Sequence, residues 1–144
     1  MTRLIETKGI IMVSLKNYAL AATVSRVILG SVMIAHSLYL KLFIFTLSGT
    51  AAFFVSIGLP ELLAYAVFFL EAICGIALIL GLKTQLASLI LVPVLLGATW
   101  AHLEAGWLFT NEGGGWEYPL VLSLMALNQV FLGNGLWAIS KKDI

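Results

Sequence analysis

Few side chains in this sequence can do chemistry, and most of them interrupt long apolar runs. Arg26 and Glu71 are the clearest cases, each flanked on both sides by hydrophobic residues. On a helix, Arg26 shares a face with Gly30, Met33, Ser37 and Lys41, while Glu71 shares one with Gly75, Leu78 and Leu82. A charge embedded in an apolar segment is costly and turns inward to find a partner. The spacing therefore predicts that Arg26 and Glu71 pair between two helices. Two readings of that pair stand: a contact that fixes helix register, or one wall of a polar ligand or proton site built with Gly30, Ser37, Gly75 and Asn128. Asn128 and its neighbour Gln129 lie in the last apolar run, where amides usually hydrogen-bond between helices.

A second polar group gathers at run ends. His36 and Lys41 close the first run, His102 and Glu104 close a later one, Glu112 and Glu117 precede the last, and Glu61 opens another. Two histidines among carboxylates are chemically able to ligate a transition metal. No ligand spacing such as His-Glu-x-x-His occurs, and no metal site is expected. The remaining readings are ordinary interfacial solvation, or a polar mouth for a partner or a redox ligand. Cys74 is the single cysteine, so an internal disulfide and a multi-cysteine metal site are both excluded, and it reads as a packing residue. Gly113-Gly114-Gly115 lacks the lysine and hydroxyl residue of a phosphate loop and reads as a turn. No Ser/His/Asp or Cys/His nucleophile arrangement is present.

The elements that must position these residues follow from composition. Of 144 residues, 61% are hydrophobic and 10% are charged, with a mean hydropathy of +1.06. A soluble domain carries about 25% charged residues, and a chain this poor in charge is suited to lipid. The length fits about four spans of roughly 20 residues each. The expected fold is all-α: a single transmembrane domain over 1–144, an integral membrane four-helix bundle with spans at 18–40, 61–82, 86–102 and 118–139. Residues 42–59 are apolar but follow the first span after only Lys41. One residue cannot turn a spanning hairpin, so this stretch is expected to be re-entrant or interfacial. Pro93 should kink the third span.

Charge bias sets an expected orientation. Arg3, Lys8, Lys16, Lys83, Lys141 and Lys142 fall on one side of four spans, opposite Lys41, Glu104, Glu112 and Glu117. Both termini are therefore expected in the cytoplasm. The first run is span-length, so it should be an uncleaved anchor, and Met12 is an alternative start to Met1. No basic tract points to nucleic acid.

The order of residues resembles a known family. Arg26-x-x-x-Gly30 is followed by His36 and Lys41, Phe53/Phe54, Gly58-x-Pro60, Glu71-x-x-x-Gly75 and Leu80-Gly81-Leu82-x-Thr84. His102 and Gly113-Gly114-x-Trp116-Glu117-Tyr118-Pro119 complete the series. Over residues 19–138 the chain resembles the DoxX family of small bacterial inner-membrane proteins. Family members often end the last span with Gly-x-Gly and then Ser-Leu-Asp. Here Gly133-Asn134-Gly135 is kept but Ala138-Ile139-Ser140 stands where the acidic residue would be, so no role of that aspartate carries over.

The resemblance implies a four-helix membrane bundle in the bacterial inner membrane and a link to redox chemistry. Members are similar to the small membrane subunit of thiosulfate:quinone oxidoreductase, and others are associated with oxidative-stress complexes. The resulting expectation is an accessory or anchor subunit, with a protein partner or a homo-oligomer, no intrinsic cofactor, and a quinone-sized pocket between helices. That pocket is expected to be lined by Arg26, Glu71, Gly30 and Gly75. The alternatives are a small solute or proton carrier or channel, and a purely structural scaffold or assembly factor.

Overall fold

The computed structural model describes residues 2–140, with side-chain surroundings at Met12 and from residue 14 onward. Five α-helices form: α1 (Thr2–Ile34), α2 (Leu47–Ser56), α3 (Glu61–Leu80), α4 (Thr84–Ala101) and α5 (Glu117–Leu132). A ten-residue π-helical segment, Ala35–Ile44, continues α1 without a break. A single 3-10 turn, Leu103–Ala105, follows α4, and there is no strand among the described residues. Among the described residues three stretches are long and apolar enough to cross a bilayer: Ser14–Ile44, Glu61–Leu80 and Thr84–Ala101. Helices α2 and α5 are apolar but shorter. Large apolar side chains such as Ile73 and Phe131 point outward at 63% and 73% exposure, a surface that lipid solvates and water does not.

Helix α1 packs against α3 and α5, α3 against α4, and α4 against α5, which closes a ring of four helices. The core inside it holds Leu29, Met33, Leu78, Leu91, Leu95 and Ala126. At the α1–α3 crossing Gly30 faces Gly75. A Cβ on Gly30 would lie 2.7 Å from the Gly75 carbonyl oxygen, and one on Gly75 would lie 3.0 Å from the Gly30 oxygen. Small residues allow this close approach of two membrane helices. Outside the ring, α2 rests on α3 and on the π segment.

The boundaries depart from the sequence reading at two places. The first helix continues past Lys41. The chain stays helical through Ile44, with the Phe45 N–H closing a π-type bond on Leu40 O at 2.8 Å, and breaks only at Thr46, where φ is +61°. The Thr46 side chain then caps α2 by accepting from the Gly49 N–H at 3.1 Å. The last helix stops at Leu132 rather than continuing to 139, because Gly133 (φ +71°) and Gly135 (φ +69°) adopt conformations that end a helix. Residues 133–140 instead fold back as a strap across one end of the ring. Leu136 N–H donates to Ala19 O, Ile139 N–H to Leu80 O and Ser140 N–H to Gly81 O, at 3.3, 3.1 and 3.0 Å.

Candidate functional site

The embedded charges do not pair as the spacing predicts. Arg26, only 1% exposed, turns toward the strap. Its Nε donates to Asn134 O at 2.8 Å and its Nη2 to Leu136 O at 2.9 Å. Its Nη1 donates to Leu78 O and Ile79 O at 2.7 and 2.6 Å. Glu71 pairs with Lys41 instead. The antiparallel register explains the exchange. With Gly30 set against Gly75, the level of Glu71 falls about one turn further along α1, near Ile34. Arg26 lies about two turns to one side of that level. There it meets the C-terminal carbonyls of α3, which carry the negative end of the helix dipole; of the two, Leu78 O also accepts from the Gly81 N–H at 3.2 Å. Lys41 approaches from the other side, and its flexible stem reaches back to the carboxylate.

Other expected members of the buried network are also redistributed. Gly30 and Gly75 form the helix crossing. Ser37 is fully buried and donates to Met33 O at 2.8 Å within its own helix. Asn128 is exposed, whereas its neighbour Gln129 is the buried amide, with Nε2 donating to Gly133 O at 2.7 Å. One residue, about 100° around the helix, separates the outward Asn128 from the inward Gln129 on α5, and the sequence places both amides at similar depth.

Asn134, which the sequence reading does not single out as a site residue, is the polar centre of the strap end. Its Oδ1 accepts from Thr84 Oγ1 at 2.7 Å and its Nδ2 donates to Ser140 O at 3.0 Å. An amide held between two helix-breaking glycines is the signal that marks it.

The charged pair forms part of a cleft of about 880 Å³. One wall is α2, through Gly49, Thr50 and Phe53, with Ile57 just beyond its end; the facing wall is α4, through Pro93, Val94, Gly97, Ala98 and Trp100. Lys41, His36, His102, Glu71 and Tyr118 supply its polar lining. The wide π turn carries both His36 and Lys41, and π-type turns recur at functional sites. His36 stacks on Tyr118 with ring centroids 5.9 Å apart. His102 caps the C-terminus of α4, and burial lowers its pKa from the ordinary 6.5, favouring the neutral ring.

The expected outer-face cluster is thus divided. His36, Lys41 and His102 line the cleft, while Glu104 is exposed in the connection after α4. Glu117 Oε1 accepts from the Phe109 N–H at 2.9 Å and braces that connection. Among the described residues no group of three or more His, Cys, Asp or Glu side chains converges as a metal site. Of the four residues expected to line a pocket, Glu71 lines this cleft and Arg26, Gly30 and Gly75 do not.

These features define a small, all-helical membrane protein with a mainly apolar cleft that carries a charged pair and two imidazoles. The chain belongs to the DoxX family, whose profile matches residues 21–103. It is similar to "Putative oxidoreductase CatD" of Bacillus subtilis (strain 168), with 28% identity over 125 residues that cover 86% of this chain and 87% of the relative. No solved structure matches the chain.

Proposed function

We propose that this protein is an accessory membrane subunit of a redox system, and that its cleft holds a quinone-type ligand for a partner that supplies the electrons. The observation that carries this reading is the cleft: about 880 Å³, largely apolar, with Lys41, Glu71, His36 and His102 among its lining residues. Ligand pockets of this size commonly combine apolar walls with a few placed polar groups. The chain carries no haem-ligand pair, cysteine cluster or flavin fingerprint, so electron transfer requires a partner. Family membership and the oxidoreductase name of the relative agree with this reading.

In the same proposal α5 crosses the membrane with α1, α3 and α4, giving four spans, and α2 lies re-entrant or at the interface. The membrane is the bacterial inner membrane. The strap end, which gathers residues 19–26, 78–84 and 133–140, faces the cytoplasm with Lys83. Arg3, Lys8, Lys141 and Lys142, on which the charge bias also rests, lie outside the described side chains. A carrier with Arg26 and Glu71 on one path gains no support, because Arg26 is committed to four carbonyls away from Glu71.

Purification in a mild detergent, followed by solvent extraction and mass spectrometry, tests the reading. A bound quinone together with a co-purifying electron-transfer protein is the expected result. Finding neither would overturn it.

A further inference from the structure

The cleft is not uniform. Its deep lining is buried: Met33, Thr50, Glu71, Leu95 and Leu122 are each at most 7% exposed. Its rim is open, with Phe53 at 44% on α2 and Trp100 at 53% on α4. Because α2 packs on α3 and the π segment, the gap between α2 and α4 is left to the ligand. Gly97 sits in that gap on α4. It is exposed, it lines the cleft, and a Cβ built on it meets nothing within 4 Å. Gly30 and Gly75, which lie within long helices and do not line the cleft, have backbone against them at 2.7 and 3.0 Å. Helical packing therefore explains Gly30 and leaves Gly97 unexplained.

The polar lining carries no surplus fixed charge. Lys41 and Glu71 cancel each other, and the Thr50 hydroxyl is already donated to Thr46 O at 2.9 Å. The remaining hydrogen-bonding side chains are His36, His102, Tyr118 and the indole N–H of Trp100 at the rim. A phosphate head would leave a buried charge unbalanced, whereas an uncharged ring with carbonyl acceptors would not.

We propose that the cleft takes an amphipathic lipophile, with its uncharged hydrogen-bonding ring at the Lys41–Glu71 pair and its hydrocarbon tail leaving sideways between α2 and α4 past Gly97. Gly97 is the specificity position for the tail: its missing side chain is the doorway. This assignment rests on the reading of the cleft as a quinone-type site and adds which part of the ligand each region accepts.

The test uses the full chain in phosphatidylcholine nanodiscs and two probes: a decyl-substituted benzoquinone, and the same ring with methyl in place of the decyl chain. Binding is compared at equal mole fraction in the membrane. Gly97→Phe should weaken the tailed probe by roughly tenfold or more and leave the short one within about twofold, with Gly97→Leu intermediate. Retained binding of the short probe also shows that the variant is folded. If Gly97→Phe binds both probes as the unmodified chain does, the doorway is wrong and the ligand reading stands. If the unmodified chain binds neither probe, the ligand reading falls and takes the doorway with it. Loss of both probes in Gly97→Phe and Gly97→Leu alike would overturn the division into ring and tail regions. Displacement of the tailed probe by added phosphatidylglycerol would overturn the uncharged head.

Discussion

At the scale of single residues, the two embedded cations are satisfied by different means. Arg26 has a planar fork with five donors, and four carbonyl contacts suit it. Lys41 is a compact charge on a flexible stem, and a carboxylate suits it. Removing one member of a buried ion pair strands the other, at a cost of about 3–5 kcal/mol, whereas replacing both by apolar groups is often close to neutral. Lys41→Met and Glu71→Leu should therefore each lower stability by that order, and the double variant should recover most of the loss. Unfolding in mixed detergent micelles measures this, and additive losses would contradict the pair. The sequence made both charges visible but not their partners. Spacing along a helix gives a face, whereas pairing depends on the relative height of two helices, which the Gly30–Gly75 crossing sets.

At the scale of elements, two glycines within the long helices should respond in opposite ways to added volume. Gly30→Ala puts a methyl 2.7 Å from the Gly75 carbonyl oxygen and 2.9 Å from the Ile79 side chain, so α1 and α3 must move apart. A loss of about 1–3 kcal/mol is expected, as for other overpacked contacts. Gly97→Ala meets open space and should gain up to about 1 kcal/mol from helix propensity. Thermal unfolding of the two variants in one detergent checks the signs, and equal losses would contradict the packing described here.

The helices themselves were largely legible, because long apolar runs and the Pro60 and Gly81 boundaries declare α3 and α4. The π segment was not. Ala35–Ile44 has no proline or glycine to announce a change of pitch, and a wider turn is settled by what packs around it. The strap was also missed: its residues are apolar enough to extend a span, and only the glycines at 133 and 135 argue against that.

At the scale of the whole molecule, the structure has two ends with different work. The cleft end carries the imidazoles, the charged pair and the aromatic edge Trp107–Trp116, whose rings meet at 4.4 Å. The strap end is held by backbone and amide hydrogen bonds, with Arg26 and Asn134 at its centre. Arg26→Gln removes the fork; Leu78 O keeps the Gly81 N–H and Leu136 O keeps the Thr23 hydroxyl, so the carbonyls of Asn134 and Ile79 lose most, at about 1–3 kcal/mol for each such group. The strap should then open, and chymotrypsin should cut near Trp137 in this variant at a concentration that spares the unmodified chain. Equal resistance would mean that Arg26 does not hold the strap.

Arg26 lies on α1, whereas Asn134 and Leu136 follow it by 108 and 110 residues. During synthesis, the arginine enters the membrane with its acceptors on α3 still to come and those on the strap later still. A product released before Asn134 would keep that guanidinium half-served in lipid, a lasting defect that quality-control proteases are equipped to find. The arrival of the strap is thus registered inside the helix that carries Arg26.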